Sequence, residues 1–224
     1  MRAVGIAVGA ALAVANLAGP STDSLAALKQ ATTVRINTRT STLNALQTAV
    51  NGAAHLSPGN KSRLTALLSA DLSGLAALKT KVNGETTVAA VRADATTMVT
   101  GYRVYLLVVA QVRLTIAADV AGAASLQLRQ VHDKLAAAVA AAKQAGKDTG
   151  KDTGKADADL ADMLTQLDAA TVTGIGALLD TQPGPDAQSI QSAVKPVRDS
   201  AHSARTALRQ AVADAKEVRS ILRT

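Results

Sequence analysis

The near absence of aromatic residues constrains this 224-residue sequence most: it has two Tyr, no Phe, no Trp and no Cys, beside 49 Ala. A core must therefore be built from Ala, Leu, Val and Ile. Ala is the best helix former and is depleted in strands, so the sequence predicts an all-α protein. The hydrophobic share of 48% is too high for a disordered chain.

The same deficit excludes several classes of function. Without aromatic platforms, base- or sugar-binding β folds such as OB-folds, RRMs and lectin-like sandwiches are not expected. Without Cys there are no disulfides, zinc fingers, iron–sulfur clusters or catalytic thiols.

The N-terminus has the pattern of a secretory signal peptide. Met1 and Arg2 precede an apolar run over residues 3–17, and Ala13 and Ala15 form an A-x-A cleavage pattern. We therefore predict a signal peptide over residues 1–20 and an exported mature protein. The alternatives are an uncleaved anchor or a buried N-terminal helix.

Two amphipathic helices are predicted next. Leu25, Ile36, Leu43 and other apolar residues recur at steps of three and four up to Asn51-Gly52, where Gly suits a left-handed C-terminal cap. Ser57-Pro58 then starts a second helix, with a cap residue followed by Pro at the first helical position. This helix ends at Asn83-Gly84.

A third segment starts with Thr86 or Thr87 as its cap and places Tyr102 and Tyr105 on one side. Residues 104–109 are apolar all round, which predicts a central, buried position. Residues 112–116 alternate like a strand and include β-branched residues, so the prediction of a helix is least secure there. Arg103, Gln111 and Arg113 bracket only about seven apolar residues, too few to cross a membrane.

The C-terminal half predicts three more segments. An Ala-rich helix leads to the repeated Gly-Lys-Asp-Thr run, which we interpret as a flexible connection over residues 146–156. A fifth segment, weakened by Gly174 and Gly176, ends at Pro183. The sixth follows the cap Asp186 and carries the clearest heptad pattern, with Pro196 either near its start or at a kink.

Short connections make consecutive helices antiparallel neighbours. We therefore predict one domain over residues 21–224: an elongated antiparallel helical bundle with coiled-coil-like heptad seams. The Ala-rich stretches 117–145 and 193–215 should pack together, and residues 102–114 should be the most buried part. Heptad seams serve a monomer and a dimer equally, so self-association stays open.

Three stretches of the sequence resemble one family. These are residues 102–109 with 114–119, residues 72–79, and residues 204–216. They are similar to exported Ala-rich helical proteins of high-GC Gram-positive bacteria, whose function is not assigned. The resemblance implies export and a helical fold but no functional residue. The family often has Pro near position 110, where this chain has Ala110, which leaves a helix break there open.

The residues give little sign of catalysis. His55, His132 and His202 lack a third ligand for a metal site, and no Gly-x-Ser-x-Gly nucleophile elbow occurs. Gly150-Lys151 and Gly154-Lys155 lack the spacing of a phosphate-binding loop, and the run also lacks the acids of a calcium loop. We therefore expect no enzyme activity, no metal and no cofactor.

Two binding hypotheses remain. The formal charge of +7 comes mostly from the first half, where residues 3–120 carry ten basic and five acidic residues against 13 and 12 afterwards. An anionic-partner surface would use seven of these residues: Lys29, Arg35, Arg39, Lys61, Arg63, Lys79 and Lys81. A cleft for an anionic ligand would use Tyr102, Arg103, Tyr105 and Arg113, although these tyrosines would also suit plain core packing.

The function expected from these patterns is a structural or interaction module of the cell envelope, with an unknown protein or envelope component as its partner. The alternative is an amphipathic protein that binds anionic lipid or wall-polymer surfaces. Nucleic acid is not expected as the partner of an exported chain.

Overall fold

The computed structural model describes residues 25–146 and 152–223, and over these residues it contains helices and no strand. The all-α prediction is confirmed. The predicted leader over residues 1–20 lies outside the described residues. The helices are α1 (Leu25–Gly52), α2 (Pro58–Gly84), α3 (Val88–Thr100), a π-helical segment (Val104–Val108), α4 (Val109–Gln144), α5 (Thr153–Ala169), α6 (Ile175–Asp180) and α7 (Ala187–Arg223).

The starts of α2 and α3 follow the predicted caps. The Ser57 side chain accepts a hydrogen bond from the Asn60 N–H, with Pro58 at the first helical position. Thr87 does the same for the Ala90 N–H at 3.2 Å. These side chains satisfy backbone donors that a helix start leaves unpaired.

The predicted ends of α1 at Gly52 and of α2 at Gly84 are confirmed, but the left-handed cap predicted at Gly52 is wrong. Gly52 and Gly84 are the last helical residues, and neither has a positive φ. The terminal carbonyls are satisfied by side chains instead: Lys61 Nζ donates to the Asn51 carbonyl at 3.4 Å and Lys29 Nζ to the Asn83 carbonyl at 2.8 Å. A lysine at a helix C-terminus also complements the helix dipole.

The same contacts establish that α1 and α2 are antiparallel, since each lysine lies at the start of one helix and bonds the end of the other. The pair of α4 and α5 is antiparallel too. Lys143 near the end of α4 pairs with Asp157 at the start of α5, and Arg129 pairs with Asp168 at the other end at 2.5 Å. The consecutive pairs α1/α2 and α4/α5 are therefore antiparallel, as predicted, but the bundle is not antiparallel throughout. α4 and α7 run parallel, because Val139 near the end of α4 packs with Val218 near the end of α7, and Leu107 just before α4 packs with Ile190 near the start of α7.

The third predicted segment is interrupted rather than continuous. α3 ends at Thr100, Arg103 adopts a left-handed conformation with φ 43°, and the π-helical segment precedes α4. Tyr102 and Tyr105 consequently do not share one face of a regular helix. The Arg103 guanidinium donates to the carbonyls of Gly184 and Pro185, which holds this unfavourable backbone conformation in place. Ala110 and the β-branched stretch after it lie within regular α-helix.

The fifth predicted segment consists of two helices, because the chain leaves α5 at Ala169 and turns through Gly174, whose φ is 82°. α5 itself begins at Thr153, where Asp152 accepts from the Lys155 N–H at 2.8 Å. The predicted connection over 146–156 is thus too long at its C-terminal end, and residues 147–151 lie outside the described residues. α7 begins after Asp186 and continues through Pro196 as one helix.

The core is divided into several clusters. Leu, Ile and Val side chains of α1, α2, α3 and the start of α4 form the largest cluster. The far parts of α4 and α5 pack on α7 through Leu, Val, Ile and Met side chains together with the buried Ala156 and Ala211. The predicted contact between the two Ala-rich stretches is confirmed, since Leu128 of α4 and Leu208 of α7 pack on the same cluster.

Residues 102–114, predicted to be the most buried part, are buried at five positions, half-buried at six and exposed at two. Five of them are at most 3% exposed, whereas Tyr105 and Arg113 are exposed. The five are Val104, Leu107, Val108, Gln111 and Val112.

By length and composition alone, Val88–Gln144 contains a window apolar enough to cross a membrane, and 39% of that window is buried inside the protein. Core helices and signal sequences meet the same criterion. In this chain Val108 and Val112 of that stretch belong to the largest core cluster.

Candidate functional site

A pocket of about 400 Å³ opens between α2, the start of α4 and the segment after α6. We call it the α2–α4 pocket. Its apolar wall includes Leu67, Leu107, Val108, Leu179 and Pro183, and its polar groups are Arg63, Asp71, Tyr102, Gln111, Thr181 and Gln182. Its volume lies within the range of small-molecule sites.

The helix break and one glycine shape this pocket. Tyr102 lies in the turn between α3 and the π-helical segment, and its ring packs on the α2 backbone at Gly74. A Cβ at Gly74 would come within 2.5 Å of the Tyr102 hydroxyl oxygen. Because Gly74 has no side chain, the Tyr102 ring can pack against α2 and form part of the pocket wall.

The structure brings only one of the four predicted cleft residues to the pocket. Arg103 is engaged with the carbonyls of Gly184 and Pro185, and Arg113 is exposed on α4. Tyr105 lies under the Arg39 guanidinium, whose carbon is 5.2 Å from the ring centroid, a cation–π contact. The predicted combination of two tyrosines and two arginines around an anion is not assembled.

The polar groups that line the pocket include both donors and acceptors. The Gln111 side chain is 1% exposed, and its Nε2 donates to the carbonyls of Leu178 at 2.9 Å and Thr181 at 3.1 Å. Among the described residues, Gln111 Oε1 and Asp71 Oδ2 have no hydrogen-bond partner. Burial raises the pKa of Asp71 to about 6. Burial, and then the Asp71 charge, also raises the pKa of Tyr102.

Most of the seven residues of the predicted anionic-partner surface have intramolecular roles. Lys29 and Lys61 cap helix ends, as described above. Arg63 pairs with Asp180 at 2.5 Å and Lys81 with the buried Asp94 at 2.5 Å. In the described part of the chain, Arg35 and Lys79 have no side-chain hydrogen bond or ion pair. The seven residues therefore do not form one uncommitted cationic surface.

A different cationic surface lies on α7 and was not predicted. Positions 198, 202, 205, 209, 212, 216, 219 and 223 alternate in steps of four and three, so they follow one side of the helix. All eight residues are exposed, and six are cations. We call these six the basic stripe: Arg198, Arg205, Arg209, Lys216, Arg219 and Arg223.

The acids of α7 are paired with groups outside the basic stripe. Asp199 pairs with Lys195 at 2.5 Å, and Glu217 pairs with Lys155 of α5 at 3.0 Å. The buried Asp214 accepts from Gln210 at 2.8 Å. Within the described residues, no ion pair or side-chain hydrogen bond involves any cation of the stripe, so all six face solvent with their charge available.

The sequence did contain the signal for this stripe. The heptad pattern of α7 identifies the buried positions, and the positions opposite them could have been searched for charge. Summing charge over half of the chain hid the stripe, because the acids of α5 and of the preceding connection balance it.

No metal site is assembled among the described residues, where no group of three or more His, Asp or Glu side chains lies close enough to hold an ion. His132 Nδ1 lies 3.1 Å from its neighbour Asp133, and His202 is exposed on α7.

Comparison of the chain with protein-family models, with curated proteins and with solved structures finds no significant match. The resemblance to exported helical proteins of high-GC Gram-positive bacteria stays a prediction from the residues quoted for it.

Proposed function

We propose that this chain is a non-enzymatic, exported helical-bundle protein of the cell envelope that holds an anionic polymer through the basic stripe of α7. The leader pattern at residues 1–20 and the resemblance to exported proteins support the proposed compartment. The basic stripe is the observation that carries the proposed activity.

The buried face of α7 is packed along the helix, so the basic stripe is carried by a helix that is held in place. Its buried residues recur at seven-residue intervals at Ile190, Val197, Ala204, Ala211 and Val218. This repeat favours coiled-coil-like packing of α7 against α4 and α5, which is part of the proposal. A helix held along its whole length keeps the spacing of its outward cations constant.

The charge pattern favours a linear anionic partner. The stripe runs from Arg198 to Arg223, about 38 Å at 1.5 Å per residue. Its neighbouring cations are separated by roughly 5–10 Å along the axis, close to the Debye length of about 8 Å at physiological salt. They therefore repel one another in the free protein, and a polymer with regularly spaced negative charges relieves that repulsion and releases counterions.

The residues of α7 favour a wall polymer as the partner over a membrane or a nucleic acid. A helix that lies in a membrane interface needs an apolar face toward the lipid, but the apolar face of α7 is buried against α4 and α5. Binding of single-stranded nucleic acid uses aromatic stacking, and no aromatic residue occurs between residues 198 and 223, over which the stripe runs. We therefore favour a phosphate-bearing wall polymer.

A binding experiment with two matched variants tests this activity. One variant replaces four stripe residues with Gln: Arg198, Arg205, Arg209 and Arg219. The control replaces four exposed cations elsewhere: Arg35, Arg92, Arg113 and Lys134. Both change the net charge equally. We expect poly(glycerol phosphate) to bind the wild type and the control alike and to bind the stripe variant at least tenfold more weakly.

Equal losses in the two variants would mean that net charge alone attracts the polymer, and would contradict the role of α7. Stronger binding to phosphatidylglycerol vesicles or to single-stranded DNA than to the polymer would reject the proposed partner. The compartment is tested separately by fractionation of a high-GC Gram-positive host, where recovery in the cytosol alone would refute export.

A further inference from the structure

The side of α7 that carries the basic stripe contains one position whose charge depends on pH. Of the eight exposed positions that follow this side of the helix, six carry Arg or Lys, and the other two are His202 and Val212. An imidazole ordinarily changes its charge between pH 5 and 8. The six cations of the stripe keep their charge over this range, since Lys and Arg lose a proton only well above it.

His202 lies in one of the two widest gaps between these cations. Arg198 and Arg205 are seven residues apart, about 10 Å along the helix. His202 lies four residues after Arg198 and three before Arg205, and residues at these spacings are neighbours on a helix surface. A charged imidazole would therefore join the two arginines into a continuous row of cations.

In the described part of the chain, the His202 imidazole has no hydrogen-bond or ion-pair partner. The nearest acid on α7, Asp199, pairs with Lys195 at 2.5 Å. The end of α5 lies beside this part of α7, since the Thr173 N–H donates to the Ser200 hydroxyl oxygen at 3.0 Å.

The elements packed against this part of α7 add no free acid. The charged groups on their adjoining parts are Arg113, Asp119 and Arg129 of α4, Asp168 of α5 and Asp180 of α6. Each of these three acids bonds to a group outside α7: Asp119 to Asn60, Asp168 to Arg129 and Asp180 to Arg63. A charge on the imidazole is therefore left to pair with an anion from outside the protein.

Protonation of this imidazole and binding of a polymer would favour each other. A phosphate held between Arg198 and Arg205 would lie against His202, and a nearby opposite charge favours the charged form of a titratable group. A proton that is bound more tightly in the complex than in the free protein strengthens the complex as the pH falls.

We infer that His202 acts as a seventh cation of this surface in mild acid, so that the protein binds its anionic polymer more tightly as the pH falls below neutrality. The inference rests on the proposed function of the basic stripe and adds regulation to it, because the pH around the protein then sets how tightly the polymer is bound.

Binding of poly(glycerol phosphate) to the full chain at pH 8 and at pH 5.5, at one salt concentration, tests the inference. The phosphodiesters of this probe lack the second ionisation of a phosphomonoester, so its charge stays constant over this range. We expect the association constant to be about fivefold larger at pH 5.5, which is the effect of one further cation at an anionic surface. The slope of its salt dependence should also steepen by about 0.7.

Three variants assign the effect to His202. His202→Gln should remove most of the pH dependence, and His202→Arg should bind at both pH values as tightly as the wild type does at pH 5.5. His55→Gln, at an exposed position between α1 and α2, is the matched control and should keep the full dependence. A dependence that comes from Asp71, whose pKa is raised by burial to about 6, would persist in His202→Gln.

The full pH dependence in His202→Gln, or equal binding by the wild type at the two pH values, would overturn the inference alone. No binding by the wild type at either pH would refute the proposed function and the inference together.

Discussion

At the scale of single residues, the pocket depends on close contacts that residue type alone does not reveal. Tyr102 can pack on α2 because Gly74 has no side chain, and Gln111 becomes a pocket residue because its amide reaches two carbonyls near α6. The sequence singled out Tyr102 for its rarity. It gave no signal for Gly74 or Asp71, because Tyr102 and the rest of the pocket that they face lie beyond a helix break that periodicity did not predict.

Substitution of Gly74 tests the contact with Tyr102. Ala in place of Gly inside a helix normally stabilises by about 0.5–1 kcal/mol, but here its Cβ would clash with the Tyr102 ring. We expect Gly74→Ala to lower the free energy of unfolding by about 1–2 kcal/mol, measured by urea denaturation. Gly122→Ala in α4, where a Cβ meets nothing within 4 Å, is the matched control and should stabilise. Equal stabilisation by both would refute the contact.

Substitution of Asp71 has a pH-dependent effect. Folding raises the pKa of Asp71 from 3.8 to about 6 because burial disfavours its charge. The protonated form thus contributes stability that is complete below pH 3.8 and lost as the pH rises through 6. Such a shift corresponds to at most about 3 kcal/mol, reduced to about 1 by the partial exposure of the side chain.

Asp71→Asn should therefore be more stable than the wild type at pH 8 by about 1 kcal/mol, and the difference should shrink toward pH 4. Chemical denaturation at several pH values measures it. A constant difference across this range would show that ionisation of Asp71 is not its cause.

At the scale of helices, the amphipathic patterns predicted where helices exist better than where they stop. The caps Ser57 and Thr87 were found because capping is a local interaction. The break at Arg103 and the lysine-capped ends of α1 and α2 were missed, because each depends on a side chain bonded to a remote element. Long-range hydrogen bonds of this kind leave no periodic trace in a sequence.

Pro196 gives a prediction at this scale. It lies inside α7 and lacks the N–H that would bond the carbonyl four residues earlier. Pro196→Ala should restore that bond and raise the free energy of unfolding, by up to about 3 kcal/mol. Ser203→Ala, at an exposed position one heptad later, should change it by about 0.5 kcal/mol or less. Thermal or urea unfolding compares the two, and a less stable Pro196→Ala would mean that α7 depends on the proline.

At the scale of the whole molecule, composition predicted the fold class and the contact of the Ala-rich stretches, but not the distribution of charge over the surface. The count of charged residues places most of the net charge of +7 in the first half, which suggested that the binding cations lie there. There, most of the proposed residues hold the bundle together, whereas the basic stripe on α7 has no intramolecular partner among the described residues. Only the assembled bundle determines which cations remain available to a partner.

The salt dependence of polymer binding tests the central proposal, which is that the six cations of the stripe act as one surface that binds an anionic polymer. For six contacts, the logarithm of the association constant with poly(glycerol phosphate) should fall with the logarithm of salt concentration with a slope of about −4. Replacing Arg198, Arg205, Arg209 and Arg219 by Gln should reduce the slope to about −1.5. A slope that is the same in the wild type and in this variant would contradict the proposal.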